Sequence, residues 1–159
     1  MAVDYFLKLE GGIEGESQDE KHKNEIQVLS WSWGAANVSS VSGTGGSGAG
    51  KADLSDVSLM LNFDKSTPKF FKSICAGTHI PSGTLTAVKA GTNGSPYLKV
   101  DFKELFVTGL QMSAAGEVPA VSLSFSYNEI EMNYFMQDEK GTVKNAGKVN
   151  FNTKTSKLA

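Results

Sequence analysis

No arginine occurs anywhere in the 159 residues, and there is one cysteine, Cys75. Without arginine the bidentate grip on guanine or phosphate is missing, so nucleic acid is a poor fit as a partner. A single cysteine excludes an intramolecular disulfide framework and a cysteine-built zinc site, and makes a reducing compartment the natural place to fold. His22 has no second ligand at a metal-like spacing, so it reads as a surface or hydrogen-bonding residue and no metal site is expected. Long apolar runs are also missing, and the opening Met1-Ala2-Val3-Asp4-Tyr5-Phe6-Leu7-Lys8 is broken by charge at once. Neither a membrane span nor a conventional secretory signal is read there, so export requires a route without a cleaved N-terminal peptide.

What is present suits one domain over residues 1–159, long enough to bury roughly 68–70% of the surface its unfolded chain exposes. The formal charge of −2 is unevenly spread. Residues 1–30 hold seven acids and three lysines, whereas residues 140–159 hold five lysines and no acid. That lysine-rich tail reads as a solvated end or as a contact with the acidic surface of a like subunit, a reading ranked above nucleic acid.

The chain is organised around the stretch Gly15 to Gly34. Both tryptophans lie in it, two residues apart, so in an extended strand Trp31 and Trp33 share one face while Ser30 and Ser32 share the other. Ile26 and Val28 follow one alternation and Leu29, Trp31 and Trp33 the next. A bulge between Val28 and Leu29 brings both sets to one side, a better reading than a strand dry on both faces, given Gln27, Ser30 and Ser32. Upstream, Val3, Tyr5, Leu7 and Leu9 alternate with Asp4, Phe6 and Lys8 as a half-buried strand that stops at Gly11-Gly12.

Downstream, Ala36 to Val41 extends as a short strand into a Gly-rich stretch, and Val57, Leu59, Leu61 and Phe63 mark the next strand. Thr67 as cap, Pro68 in the first turn, an apolar stripe of Phe70, Phe71, Ile74 and Cys75, and Gly77 as terminator predict one amphipathic helix. Pro81-Ser82-Gly83 reads as a turn and Asn93-Gly94 as a hairpin turn. Strands follow with parity changes after Phe102 and after Tyr127, the latter read as a bulge. Val149 and Phe151 suit a short last strand, with Lys154 to Ala159 mobile. The fold class expected is all-β with one helix: a small β-barrel of antiparallel sheets, an amphipathic helix packed on its side and an extended Gly-rich loop.

Catalytic footholds are few. Cys75 and His79 invite a nucleophile and base, but Cys75 belongs to the expected packing stripe and no third orienting group is evident. Gly45 to Lys51 fits the start of a phosphate-binding loop, yet Ala52 stands where a magnesium-holding hydroxyl is needed. No catalytic residue, cofactor or metal is assigned.

Residues 1–34 resemble the opening of the Hcp family, the haemolysin-coregulated proteins of bacterial type VI secretion. The matching residues are Ala2, Asp4, Phe6, Lys8, Gly15-Glu16-Ser17, Asp19, His22, Glu25-Ile26, Val28-Leu29 and Trp31-Ser32-Trp33-Gly34. The likeness continues through Gly48-Ala49-Gly50-Lys51, Asp64-Lys65-Ser66-Thr67-Pro68 and Gly77-Thr78-His79 with Pro81. It implies a non-enzymatic subunit of Gram-negative bacteria, made in the cytoplasm and secreted by the type VI pathway without a cleaved signal peptide. Copies would form a hexameric ring, stack into a hollow tube under a VgrG spike and inside a contractile sheath, and hold small effectors in the lumen as carrier and chaperone, a part in virulence, with no stable membrane insertion.

Two candidate sites follow. The resemblance turns the wall carrying Ser30 and Ser32 toward the lumen, as an effector-contacting surface. The loop Val38-Ser39-Ser40-Val41-Ser42-Gly43-Thr44-Gly45-Gly46-Ser47-Gly48-Ala49-Gly50-Lys51, within residues 38–52, is expected to contact a neighbouring subunit or ring. The rival reading is a ligand-binding β-barrel for peptide or carbohydrate that uses Trp31 and Trp33, and it requires those rings to be exposed.

Overall fold

The computed structural model describes residues 2–40, 48–89 and 94–159, with the side chains of all but residues 38–40, 48, 49 and 118. In order it contains β1 (Val3–Leu9), β2 (Ile26–Ser32), β3 (Ala35–Ser40), β4 (Gly48–Leu54), β5 (Val57–Asn62), α1 (Thr67–Ala76), β6 (His79–Lys89), β7 (Pro96–Ala115), β8 (Val118–Ser126), β9 (Glu129–Gln137), β10 (Val143–Asn152) and β11 (Lys157–Leu158). Six strands close into an antiparallel barrel, β7-β6-β1-β2-β5-β8, because β7 pairs with β6 at one end of the series and with β8 at the other. Alternating apolar residues fill it: Leu7, Val57, Leu59, Leu85, Phe102 and Leu123 are each no more than 2% exposed. Burying each such side chain stabilises the fold by about 1.5–3 kcal/mol.

β7 is the strand that joins two sheets. Its first half pairs with β6 on one edge and, from Leu98 to Lys103, with β9 on the other. From Phe106 onward it pairs with β8. β9 therefore continues β8 along the same edge of β7, and the parity change after Tyr127 is a short break in that edge rather than a bulge. At the break, Asn128 N–H donates to Lys103 O at 3.0 Å.

The bulge in β2 is present where alternation demands it: Val28 faces Leu61, and the next aligned pair is Ser30 with Met60. Leu29 is the extra residue and is 51% exposed, so it does not join Trp31 and Trp33 in the core. A residue with no partner opposite is pushed out of the pleat. Pro81-Ser82-Gly83 does not turn the chain but continues β6. Ile80 pairs with Leu105 and Ser82 with Lys103, so Pro81 falls opposite Glu104, whose φ of 52° kinks β7. A proline is tolerated in a strand at such an irregularity, where no ladder hydrogen bond is required.

The helix opens after Ser66 rather than at a Thr67 cap. Ser66 makes no capping bond of its own, and the Asp64 carboxylate takes its N–H at 2.8 Å as well as its hydroxyl. Gly77, at φ 64°, ends the helix. The buried stripe is Thr67, Phe70 and Ser73, with Ile74 beside it, whereas Phe71 is 60% exposed and Cys75 is exposed. Phe71 and Cys75 lie four residues apart and form the next stripe round, which the rotation per residue carries off the β7 contact.

Two segments are held by contacts that periodicity does not reveal. Residues 10–25 fold back over the outer face of β1, where the His22 ring stacks on Phe6 at 4.4 Å and leaves Phe6 3% exposed. Gly15 makes this close approach possible, since a Cβ there would lie 2.6 Å from Glu25 O and Ile26 Cα. The C-terminus is not loose either. Lys157 and Leu158 form β11 on β10, and Ala159 exchanges two backbone hydrogen bonds of 2.9 Å with Asn150.

Candidate functional site: a charge-free hydroxyl wall

Ser30 and Ser32 are exposed on the outer face of β2. Trp31 and Trp33 are half-buried against the core, as strand alternation requires. The space between the indoles and Val57, Leu85, Phe102 and Ile130 is too narrow for a water molecule, and the Trp33 indole N–H donates to the Tyr127 hydroxyl. Neither ring stands free as a stacking platform, which removes the main support for a carbohydrate- or peptide-binding reading.

The register then places Ser30 and Ser32 in rows that could not be read from local sequence. Ser32 lies opposite Ser58, Ser58 opposite Ser124 and Ser124 opposite Gly109. One step along, Ser30, Met60, Ser122 and Gln111 form the next row. A Cβ at Gly109 would come within 2.5 Å of Ser124 Oγ, so glycine is what lets the serine hydroxyl sit at that position. The Thr108 hydroxyl donates to the Asp56 carboxylate at 2.8 Å and lies 3.1 Å from Ser124 Oγ.

The strands of this wall carry no formal charge: β2, β5, β8 and residues 106–115 of β7 contain no Asp, Glu or Lys, and the Asp56 carboxylate bonded to Thr108 stands at the margin, just before β5. It can offer hydrogen bonds to a molecule passing over it, with little long-range attraction or repulsion for either sign. Ser58, Ser122 and Ser124 were missed as site residues. The repeat Val121-Ser122-Leu123-Ser124-Phe125-Ser126 was a legible sign of one hydroxyl face, but its place beside β2 follows only from the pairing with β5.

The wall also has open lateral edges. Among the described residues, β7 pairs with β8 alone from Val107 to Ala115, and Ser30 and Ser32 pair with β5 alone. Open, uncharged edges present unpaired backbone groups that another strand can complete.

The opposite outer wall, on β1, β6, the first half of β7, β9 and β10, is charged. Lys8, Thr84, Asp101, Glu131 and Asn150 run in one row across it. Thr84 donates to Asp101 at 2.6 Å, Lys148 pairs with Glu131 at 3.4 Å and Lys103 with Glu129 at 3.7 Å.

β3 and β4 form a two-stranded sheet of their own, an arm beside the wall. Of the expected contact loop, residues 38–40 and 48–51 lie in these strands, and Val41 to Ser47 lie outside the described residues. The base of the arm is tied down. Ser55 N–H donates to Gly34 O, Gly34 N–H donates to Ser55 Oγ, and the Tyr127 hydroxyl donates to Ser55 O, each at 2.9 Å. Burial pushes the Tyr127 phenol above its ordinary value of 10, partly offset by the hydrogen bond from Trp33. Cys75 is exposed on α1 while His79 leans on the Phe106 ring at 5.4 Å, and among the described residues no hydrogen bond joins the two.

Comparison with known proteins gives one consistent result. Residues 6–134 match the family model described as "Type VI secretion system effector, Hcp". The chain is 36% identical over 154 residues to Protein hcp1 of Pseudomonas aeruginosa, covering 95% of this chain and 94% of that one. A solved type six secretion system protein superposes with a TM-score of 0.92 at 29% identity, covering 99% of this chain and 100% of the other. Hcp1 from Salmonella typhimurium superposes with a TM-score of 0.80 at 30% identity, covering 100% of both chains.

Proposed function

The chain belongs to the Hcp family of type VI secretion proteins, and from that premise we propose that it is a structural tube subunit whose copies close into six-membered rings with the hydroxyl wall turned inward. The observation that carries this reading is the charge-free wall with open edges, β2-β5-β8-β7, on a barrel whose opposite wall is charged. Edges of this kind join naturally to those of like subunits. An inward wall of short hydroxyls leaves a wide wet passage, so the ring can hold small effectors of varied charge as carrier and chaperone. The rings stack into a hollow tube beneath a VgrG spike and inside a contractile sheath, and the protein, made in the cytoplasm, leaves through that machine rather than by a cleaved signal. No catalysis is assigned to it.

In this reading the β3–β4 arm reaches a neighbouring subunit or ring, with Ser55 and Tyr127 fixing its base. Negative-stain microscopy of the purified protein tests the proposal: six-membered rings with an open centre are expected, and a particle that stays monomeric at every concentration contradicts it. Shortening residues 43–50 is expected to leave single rings intact while reducing tube formation in light scattering. Unaltered stacking would make the arm a plain hairpin connection.

A further inference from the structure

A head-to-tail contact that closes into a ring needs two different, mutually complementary flanks on each copy. This chain has such a pair. In the order β10-β9-β7-β6-β1, the strands β1 and β10 stand four strand spacings apart, about 19 Å along the sheet. Over β1 lies the segment Glu14 to Glu25, held by His22 on Phe6 and by the Gly15 N–H bond to Asn24 O at 2.9 Å. Its anchoring residues face inward, with Ser17 only 4% exposed. Glu16 and Glu20 face outward and, among the described residues, enter no ion pair.

At the other flank, residues 143–158 carry four lysines and no acid; Lys148 and Lys154 pair within the chain, with Glu131 at 3.4 Å and Glu104 at 3.6 Å, while Lys144 and Lys157 enter no ion pair among the described residues. Asp138, just before them, is spent on its own turn, accepting Lys140 N–H at 2.9 Å and Thr142 N–H at 2.8 Å. Lys144 lies with Val149 and Leu158 on one face of this sheet, which is otherwise apolar, while Lys148 and Lys157 lie on the other face with Glu129 and Glu131. Val149 is 54% exposed and Leu158 69% exposed, although both lie on the side that is core elsewhere. Val149 aligns through Met132 with buried Val100, and Leu158 through Phe151 and Ile130 with buried Phe102. The barrel's inner face thus runs out beyond β7, where nothing in the described chain covers it.

We infer that the β10–β11 flank, with Lys144 and Lys157 unpaired on its two sides, docks the acidic Glu14–Glu25 segment of a second copy of this chain, and that this pairing fixes the direction in which copies close. The inference rests on the ring reading above and adds to it which flanks meet and why. Exposed ion pairs are individually weak, but complementary fields steer encounter and reject the reversed orientation, where lysines meet lysines. The contact weakens with salt, as screening shortens the reach of exposed charges.

Two charge-reversed chains test it: Glu16→Lys/Glu20→Lys, basic on both flanks, and Lys144→Glu/Lys154→Glu/Lys157→Glu, acidic on both. Sedimentation at low salt is expected to find wild-type rings, whereas each reversed chain alone needs about tenfold more protein to assemble. An equimolar mixture of the two is expected to regain rings, because every contact is again between opposite charges, and that rescue also shows that both chains fold. Reversed chains that assemble like wild type, or a mixture no better than its components, overturn the inference while wild-type rings leave the ring reading standing. A wild type that never assembles removes the ring reading and this inference together.

Discussion

The two outer walls of the barrel share one apolar core yet differ in chemistry. The wall of β2, β5, β8 and the second half of β7 has serines, Gln111 and Met60 and no formal charge, whereas the wall of β1, β6, β9 and β10 carries carboxylates and lysines in cross-strand rows. Alternation explains how a strand can be apolar inside in both cases; it does not explain why the outside differs. A face exposed only to water gains solubility from charge, so a face that omits charge across four neighbouring strands is adapted to contact something other than bulk solvent.

Three changes break or sharpen this contrast, from the largest effect to the smallest. Phe102, 2% exposed and in edge contact with the Phe125 ring at 5.1 Å, belongs to the core beneath both walls. Phe102→Ala should cost about 3–5 kcal/mol in urea unfolding and erase both walls together; a loss under about 1 kcal/mol would mean that they do not share a core. Tyr127→Phe removes the hydroxyl that links Trp33 to the base of the arm and should cost about 1 kcal/mol. Because the folded Tyr127 pKa is raised, its contribution is fully present below the unfolded value near 10 and is lost as pH rises through the folded value. The wild type should therefore lose more stability at alkaline pH than the Phe variant, and equal alkaline losses in both would contradict this. Ser32→Gln should change stability by no more than about 0.5 kcal/mol, as exposed substitutions do, while narrowing the wall. Rings should form and effector co-purification should fall; unchanged co-purification from well-formed rings would separate the wall from cargo.

Features set by neighbours in sequence were legible beforehand. Parity placed the β2 bulge and put Ser30 and Ser32 opposite the tryptophans, and Gly77 itself marked the end of the helix. What failed depended on distant partners. Phe6 read as outward because alternation cannot foresee that residues 14–25 fold back over it. Phe71 and Cys75 read as core because an apolar helix stripe does not reveal how wide the supporting strand is. Ser58, Ser122 and Ser124 joined the candidate site only through the β2–β5 and β5–β8 registers, set by pairs as far apart in sequence as Ser58 and Ser124. The last residues read as loose because two-residue strands such as β11 leave almost no periodic signal.

The claim that the hydroxyl wall faces the centre of an assembled ring can be tested by placing a single thiol on it. With Cys75→Ser removing the native thiol and Ser58→Cys adding one on the wall, assembled protein labelled with a small gold maleimide should show gold density inside the ring opening in electron micrographs. Gold around the outer circumference, with the centre empty, would contradict the account.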